Sequence, residues 1–379
     1  MQLFLVSVLL HVYVGARIWP DLPGGAAVGG LFLALLVASA GLMPMVLLAR
    51  RLQPRAWADR AAWAGSLAMG LFSSLFVLTV IRDIVLLLAR IAEALGAQGP
   101  ALADLAPWTA AAVPLVGLAV TTWGFLNARR TAPVVTVEVP IADLPPALHG
   151  FTIAQISDIH VGPTIKRPYL RRIVEAVNRI EADMVAVTGD LVDGSVPDLA
   201  EHVAPLATLR STHGTFFVTG NHEYYAGAPA WIVELRRLGL RVLLNEHVVL
   251  QHGGAALLVA GVTDFGAHHF DPAQRSDPHG ALAGAPDAAA VRVLLAHQPR
   301  SAEAAEQAGY QLQLSGHTHG GQFLPWNLFV RFQQPFTAGL HRLRRLWVYT
   351  SRGTGYWGPP KRFGAPSEIT RVRLVPAPA

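Results

Sequence analysis

No cysteine occurs in the 379 residues. That excludes disulfide staples and thiolate metal ligation, so any metal must be held by His, Asp, Glu or Asn. Charge is sparse as well: Asp, Glu, Lys and Arg make up 15% of the chain against 52% hydrophobic residues, a balance foreign to an ordinary soluble enzyme. Only two lysines, Lys166 and Lys361, are present. The formal net charge of +5 therefore rests on Arg, which gathers at the ends of apolar segments rather than in a basic patch. No nucleic-acid partner is expected from that pattern. The apolar excess is uneven, with long runs up to about residue 127 and short runs between polar loops thereafter. We therefore expect a transmembrane helical domain over 1–130, a linker with a first strand over 131–150, and a second domain over 151–375.

Four stretches are long enough to cross a hydrocarbon core, which needs roughly 20 apolar residues. They run near Met1–Trp19, Val28–Ala49, Trp63–Ala89 and Pro107–Leu126. The first has no basic leader before its apolar run and is followed by further spans, so we read it as a retained helix rather than a signal peptide. Arg50, Arg51, Arg55 and Arg60 share one short loop, and Arg129 and Arg130 follow the last span. By the positive-inside rule both clusters face the cytoplasm, and the second domain with them. Arg82 and Asp83 interrupt the third span. Because Trp63–Ile81 already suffices to cross, we place this pair at the outer interface rather than on a transport path.

Prolines at 133, 140, 145 and 146 bracket a short alternating run, Val134–Val139. Beyond it, apolar strand-like runs (Phe151–Ile156, Met184–Thr188, Thr215–Thr219) alternate with amphipathic helical stretches (Tyr169–Ile180, Leu199–Leu209, Pro229–Leu238). Strand-like runs then dominate: Val242–Leu244, Val248–Leu250, Ala256–Gly261, Val291–Leu295, Gln311–Leu314, Trp347–Thr350 and Thr370–Leu374. Such alternation predicts a layered α/β architecture. The stretch Phe265–Ala289, rich in Pro, Gly and Asp without periodicity, reads as a surface loop.

Five short motifs lie directly after predicted strands, where a layered sheet presents its ligand-binding edge. They are Ser157-Asp158-Ile159-His160, Gly189-Asp190-Leu191-Val192-Asp193, Gly220-Asn221-His222-Glu223, Ala296-His297-Gln298 and Gly316-His317-Thr318-His319-Gly320. Carboxylate, imidazole and amide donors suit Mn, Fe, Zn or Mg rather than a thiophilic metal. Asp-x-His and His-x-His spacings let two side chains of an extended segment converge on one ion. Placed after apolar strands, these polar groups would otherwise be buried without compensation, at about 1–3 kcal/mol each. His202, His213, His247, His252 and His341 belong to no such pattern, and we assign them no site.

The ordered set resembles the calcineurin-like metallophosphoesterase superfamily, whose pattern is Asp-x-His, Gly-Asp-x-x-Asp, Gly-Asn-His-Glu/Asp, a lone His and Gly-His-x-His. The resemblance covers roughly Phe151 to Leu374 and implies a two-sheet β-sandwich flanked by helices, carried behind a bundle of about four transmembrane helices. It further implies two divalent metal ions. Asp158, His160 and His319 would bind one, and Asn221, His297 and His317 the other, with Asp190 bridging. Two such cations lower the pKa of a bridging water and neutralise phosphate oxygens, which makes in-line attack feasible at neutral pH. His222 would protonate the leaving oxygen and Asp193 would orient it. We expect manganese, with Fe, Zn or Mg as alternatives. A non-catalytic scaffold on this fold is expected to lack ligands, and none is missing.

Gly194 and Thr219 stand where the phosphoprotein phosphatase branch carries phosphate-clamping arginines, which disfavours a protein phosphatase. Gly316–Gln322, Ser351-Arg352-Gly353-Thr354-Gly355 and Arg362-Phe363-Gly364 look instead like the bacterial membrane-associated branch. That branch includes enzymes resembling UDP-2,3-diacylglucosamine pyrophosphohydrolases, and the vertebrate transmembrane metallophosphoesterase-domain proteins share the layout. The resemblance implies an enzyme of the bacterial inner membrane acting on a phosphorylated or lipid-linked molecule. The alternatives are a general phosphodiesterase of soluble substrates, or a transporter carrying an accessory phosphoesterase. Arg352 and Arg362 are candidate substrate-phosphate contacts, and Lys361 lies in the same loop as either a headgroup contact or a solvated charge. Tyr356 and Trp357 stand beside it, suited to stacking on a base, to the membrane interface or to core packing.

Overall fold

The computed structural model describes residues 2–49, 52–97, 102–286 and 289–378. Arg50 and Arg51, which entered the orientation argument, lie outside the described residues. The chain divides into two compact units. One comprises Met1–Arg129 with the short segments Phe323–Pro325 and Gly358–Phe363; the other holds the remainder.

The first unit is helical: α1 (Gln2–Ile18), α2 (Gly25–Leu42), α3 (Met45–Leu48), α4 (Arg55–Ala94) and α5 (Leu102–Arg129). Four of its helical segments are long and apolar enough to cross a membrane. Its interior is built from Val14, Ile18, Phe32, Leu36, Phe72, Leu75, Ala110 and Val113. The outward side chains are apolar too, with Val37 73%, Leu115 69% and Leu31 63% exposed. A bundle in water would invert that pattern, whereas one in lipid gains nothing by doing so. At 40 residues α4 is about 60 Å long, twice a hydrocarbon core.

Arg82 is buried in α4 and fully engaged: its guanidinium donates to the Asp21 carboxylate, the Arg17 carbonyl and Thr109 Oγ1. Asp83 accepts from Tyr13 Oη at 2.8 Å and from Arg17 Nε at 2.9 Å. Because Asp21 closes the short helical turn after α1, Arg82 lies level with a helix end, and the pair is spent on internal hydrogen bonds.

Lys361 and Arg362 depart from expectation. The Lys361 ammonium is buried in the helical unit, where it donates to the Gly70 carbonyl and to the hydroxyls of Ser73 and Ser74 at 2.9, 2.9 and 2.6 Å. It is neither solvated nor free for a headgroup. Arg362 is wholly buried, its backbone N–H donating to the Gly124 carbonyl and its own carbonyl accepting from Asn127 Nδ2. The chain is drawn inward here, so Arg362 offers no exposed guanidinium to a substrate.

The second unit is a two-sheet sandwich. Its elements are β1 (Val134–Ile141), β2 (Thr152–Ile156), α6 (Arg167–Asn178), β3 (Met184–Val187), α7 (Val196–Val203), β4 (Thr215–Phe217), α8 (Asn221–Ala226), α9 (Ala228–Arg237), β5 (Arg241–Val242), β6 (Glu246–His252), β7 (Ala255–Gly261), β8 (Val291–Leu295), α10 (Ala302–Gln307), β9 (Leu312–Ser315), α11 (Trp326–Gln333), β10 (Gly339–Leu343), β11 (Leu346–Thr350) and β12 (Ile369–Pro376). One sheet has the order β1-β12-β2-β3-β4-β5, the other β10-β11-β9-β8-β7-β6. The period-2 pattern of β7 explains the layering: Leu257 and Val259 face the core between the sheets, while Leu258 and Ala260 face a second core shared with α10. Strands β2 and β3 are buried on both faces; β3 therefore reads as an unbroken apolar run, while β2 keeps the polar side chain of Gln155 for a buried hydrogen-bonding role.

Residues 131–150 are more than a linker, since β1 pairs in parallel with β12 over eight residues, from Val134 against Ile369 to Ile141 against Pro376. The stretch Phe265–Ala289 holds three short 3-10 turns and is pinned: Tyr224 Oη donates to Gln274 Oε1 at 2.6 Å, and Thr263 Oγ1 to the Gln274 carbonyl at 2.8 Å. Asp287 and Ala288 lie outside the described residues.

Candidate metal centre

The five motifs follow β2, β3, β4, β8 and β9. The first three strands run parallel in one sheet and the last two in the other. All five loops therefore leave from the carboxyl ends of parallel strands, and the buried side chain of Gln155 ties the two sheets together there. Its Nε2 reaches Thr188 Oγ1 in one sheet and the Ser315 carbonyl in the other, both at 2.9 Å.

Two clusters of donor atoms result. Asp158, His160 and His319 form one, Asp190, His297 and His317 the other, each with ligand atoms within 4.8 Å of one another. His160 Nε2 lies 3.0 Å from His319 Nε2, and His297 Nε2 lies 3.2 Å from His317 Nδ1. Two of these rings are committed at their other nitrogen: His297 Nδ1 donates to the Thr188 carbonyl at 2.7 Å and His160 Nδ1 to Asp193 at 3.1 Å. That turns Nε2 of His297 and of His160 toward the clusters, the arrangement by which proteins fix a metal-binding tautomer.

Asp190 Oδ2 stands between the clusters, 3.1 Å from His297 Nε2 and 4.0 Å from His160 Nε2. Asn221 Oδ1 is buried with no hydrogen-bond partner. An orphaned amide oxygen is costly unless a cation takes it. With only N and O donors around it, the centre fits hard or borderline divalent cations.

The backbone here is strained. Asp158, His160, Asp190, His317 and His319 all have φ between 52° and 71°, a region non-glycine residues seldom enter. Strain gathered on the converging residues themselves is characteristic of functional sites. Close approach adds to it. A Cβ on Gly316 would meet Asp158 Oδ2 at 2.2 Å, and one on Gly220 would meet Asp190 Oδ1 at 2.2 Å, so only glycine lets these loops touch.

His222 does not face the clusters in the same way. Its Nδ1 donates to Asp193 Oδ1 at 2.6 Å, and its Nε2 lies 4.0 Å from Asp190 Oδ2. Burial alone would lower its pKa, but the carboxylates of Asp190 and Asp193 outweigh burial and push it up to about 9. Burial would raise Asp193, yet the imidazoles of His160 and His222 hold it below the ordinary carboxylate range. The grouping of His160, Asp193 and His222 is thus a hydrogen-bonded triad built through Nδ1 atoms.

Two residues escaped sequence reasoning. Glu223 is fully buried and gathers four backbone amides: Leu191 and Val192 on Oε1, Gly220 and Asp190 on Oε2. It fastens the loop after β3 to the loop after β4. The signal was present, since a Glu at the third position of α8 is a capping residue. Glu368 accepts from Tyr349 Oη and from the Arg352 amide, and it pairs with the Arg352 guanidinium. Arg352 is one-third exposed, and a Cβ on Gly320 would meet its Cγ at 2.8 Å, so it lies beside His319. Tyr356 is core, while Trp357 is 46% exposed.

A family model described as calcineurin-like phosphoesterase matches residues 151–321. A Bos taurus protein named transmembrane protein with metallophosphoesterase domain is 42% identical over 282 residues, covering 70% of this chain and 63% of its own length. An uncharacterized metallophosphoesterase of Helicobacter pylori is 42% identical over 229 residues, 59% of this chain and 60% of that protein. One from Aquifex aeolicus is 32% identical over 224 residues, 59% of this chain and 84% of that protein. The chain thus spans only 63% and 60% of the length of the first two relatives.

Proposed function

We propose that the chain, which belongs to the calcineurin-like phosphoesterase family, is a membrane-anchored, metal-dependent phosphoesterase using two divalent cations. Asp158, His160 and His319 would hold one, Asn221, His297 and His317 the other, with Asp190 available to both. The observation that carries this reading is the Asp190 carboxylate, whose Oδ2 lies between His297 Nε2 and His160 Nε2, two imidazoles each oriented by a hydrogen bond at its Nδ1.

Bound cations, manganese in the first instance, would neutralise phosphate oxygens and lower the pKa of water. The side chains do the rest. Asp193 takes the Nδ1 hydrogen of His222, so the second proton of the imidazolium sits on Nε2, directed toward Asp190. From there it passes to the departing oxygen, with the Asp193 carboxylate on Nδ1 stabilising the imidazolium that gives it up. Arg352, beside His319, is placed to contact a substrate phosphate, a role Arg362 cannot share.

Four apolar helices hold the enzyme at a bilayer and raise the local concentration of membrane-embedded substrate. The proposed reaction is hydrolysis of a phosphoester or pyrophosphate bond in a lipid-linked molecule such as UDP-2,3-diacylglucosamine. The reading puts the enzyme in a bacterial inner membrane with this unit on the cytoplasmic face, an orientation that the Arg-rich loops support. The test is manganese-dependent hydrolysis of UDP-2,3-diacylglucosamine in detergent micelles by the full chain, with His222→Ala and bis(p-nitrophenyl) phosphate as controls. Turnover lost in the variant supports the lipid-linked reading. Cleavage of the diester alone removes that substrate and keeps the chemistry. Cleavage of neither, under any of several metals, overturns both.

A further inference from the structure

Three aromatic side chains stand in the open around the proton donor. Tyr225, on α8 one turn after His222, packs edge-to-face on its imidazole with centroids 5.3 Å apart. Trp357 does the same at 5.7 Å and 75°. Phe270, from the loop after β7, meets Tyr225 at 5.6 Å. Their exposures are 61%, 46% and 53%. A folded unit does not leave three large rings beside its reactive group without a use for them.

The rim is also built. The Gln322 amide clamps the Trp357 backbone at both ends, Nε2 donating to its carbonyl at 2.9 Å and Oε1 accepting its N–H at 3.0 Å. Phe270 is held against Tyr224, which is anchored through Gln274. Fixed rings with exposed faces suit a planar aromatic partner, and stacking of this kind accepts any base because every base has a π-face.

We propose that Tyr225 and Trp357, backed by Phe270, form the leaving-group subsite and select a leaving group that carries a planar aromatic ring, such as a nucleoside monophosphate. This rests on the reading of His222 as the acid that protonates the leaving oxygen, since only then do rings against His222 face the departing half of the substrate. The step is hydrolysis of a phosphoanhydride: water adds to one phosphorus, the P–O bond to the other half breaks, and the His222 proton goes to the oxygen that leaves.

The experiment compares three symmetrical diphosphates, so that the leaving group is always a phosphate monoester of similar intrinsic acidity: diuridine diphosphate, dimethyl diphosphate and didecyl diphosphate in mixed micelles. The full chain in detergent with manganese is used, and bis(p-nitrophenyl) phosphate reports the underlying phosphoesterase. The expected result is kcat/KM for diuridine diphosphate at least tenfold above the dimethyl compound. Tyr225→Ala and Trp357→Ala should each lower the ratio of kcat/KM for the uridine compound to that for the dimethyl compound at least about fivefold, and Trp357→Phe should restore most of it. Equal losses on both substrates would mean that the rings merely position His222, and would overturn the proposal. Preference for the didecyl compound would overturn it in favour of an acyl-chain surface. Loss of all activity on the aryl diester in the unaltered chain would instead refute the underlying phosphoesterase reading.

Discussion

Glu223→Gln tests whether one buried carboxylate organises the centre. Both carboxylate oxygens are used: Oε1 accepts from Leu191 and Val192 at 2.7 and 3.3 Å, Oε2 from Gly220 and Asp190 at 2.7 and 3.0 Å. Burial and the neighbouring Asp190 carboxylate push Glu223 up to about 8, while the amide donors pull the other way. Four N–H groups aimed at two oxygens leave no acceptor for a carboxyl proton, so the geometry assigns the ionised form. In the variant one oxygen becomes an NH2 that faces two donors, whichever way the amide is turned. Two buried N–H groups are then unsatisfied, at about 1–3 kcal/mol each, or about 2–6 kcal/mol together. For a domain of this size 1 kcal/mol corresponds to about 2–4 °C. The melting temperature of the catalytic unit, followed for the full chain in detergent at one scan rate, should fall by about 5–20 °C. Manganese affinity should fall about 10–100-fold, because Asp190 and Asn221 ride on the loops that Glu223 fastens. A variant that melts within about 2 °C of the parent and binds manganese unchanged would refute the account.

His222→Ala should lower turnover by about 10²–10⁴-fold while leaving two metals per chain by elemental analysis; a matching loss of metal would make His222 a ligand rather than an acid. Asp190→Asn should reduce manganese retained after gel filtration below two ions per chain, and unaltered stoichiometry would remove Asp190 from its shared position. Burial without a carboxylate partner lowers Lys361 from 10.5 to about 8. The folded state thus resists protonating a group that the unfolded chain keeps protonated to higher pH, so stability should rise between about pH 8 and 10.5. Lys361→Met should abolish that rise in thermal unfolding of the full chain, and a rise that persists in the variant would assign it to other groups.

The residues that gather in the candidate centre were legible because each follows a strand-like run: Asp158 and His160 after β2, His317 and His319 after β9. Alternation and apolar runs depend on neighbours within a few residues, so β7 and β8 were legible nearly to the residue. Elements whose burial is set from afar were not. Strand β10 and helix α11 contain no fully buried residue, and neither was expected from the sequence. The 131–150 segment read as a linker with a first strand, and only the strand's partner was illegible, since its pairing with β12 joins residues more than 200 positions apart.

The same division between local and distant information separates the basic loop from the centre. Arg352, Lys361 and Arg362 look alike in sequence, three cations among Gly and Pro, yet each goes elsewhere: Arg352 to Glu368 near His319, Lys361 to the hydroxyls of α4, and Arg362 to full burial beside α5. A charge is placed by its partners. Glu368, Ser73 and Ser74 are ordinary residues in sequence, so nothing local reveals them as partners. Metal ligands escape this ambiguity because their partner is a common ion, and every donor must therefore converge on the same point. Convergence imposes left-handed backbone on the loops after β2, β3 and β9 and adjacent glycine on those after β3, β4 and β9, and with the spacing of the donors those glycines are local marks that a sequence can carry.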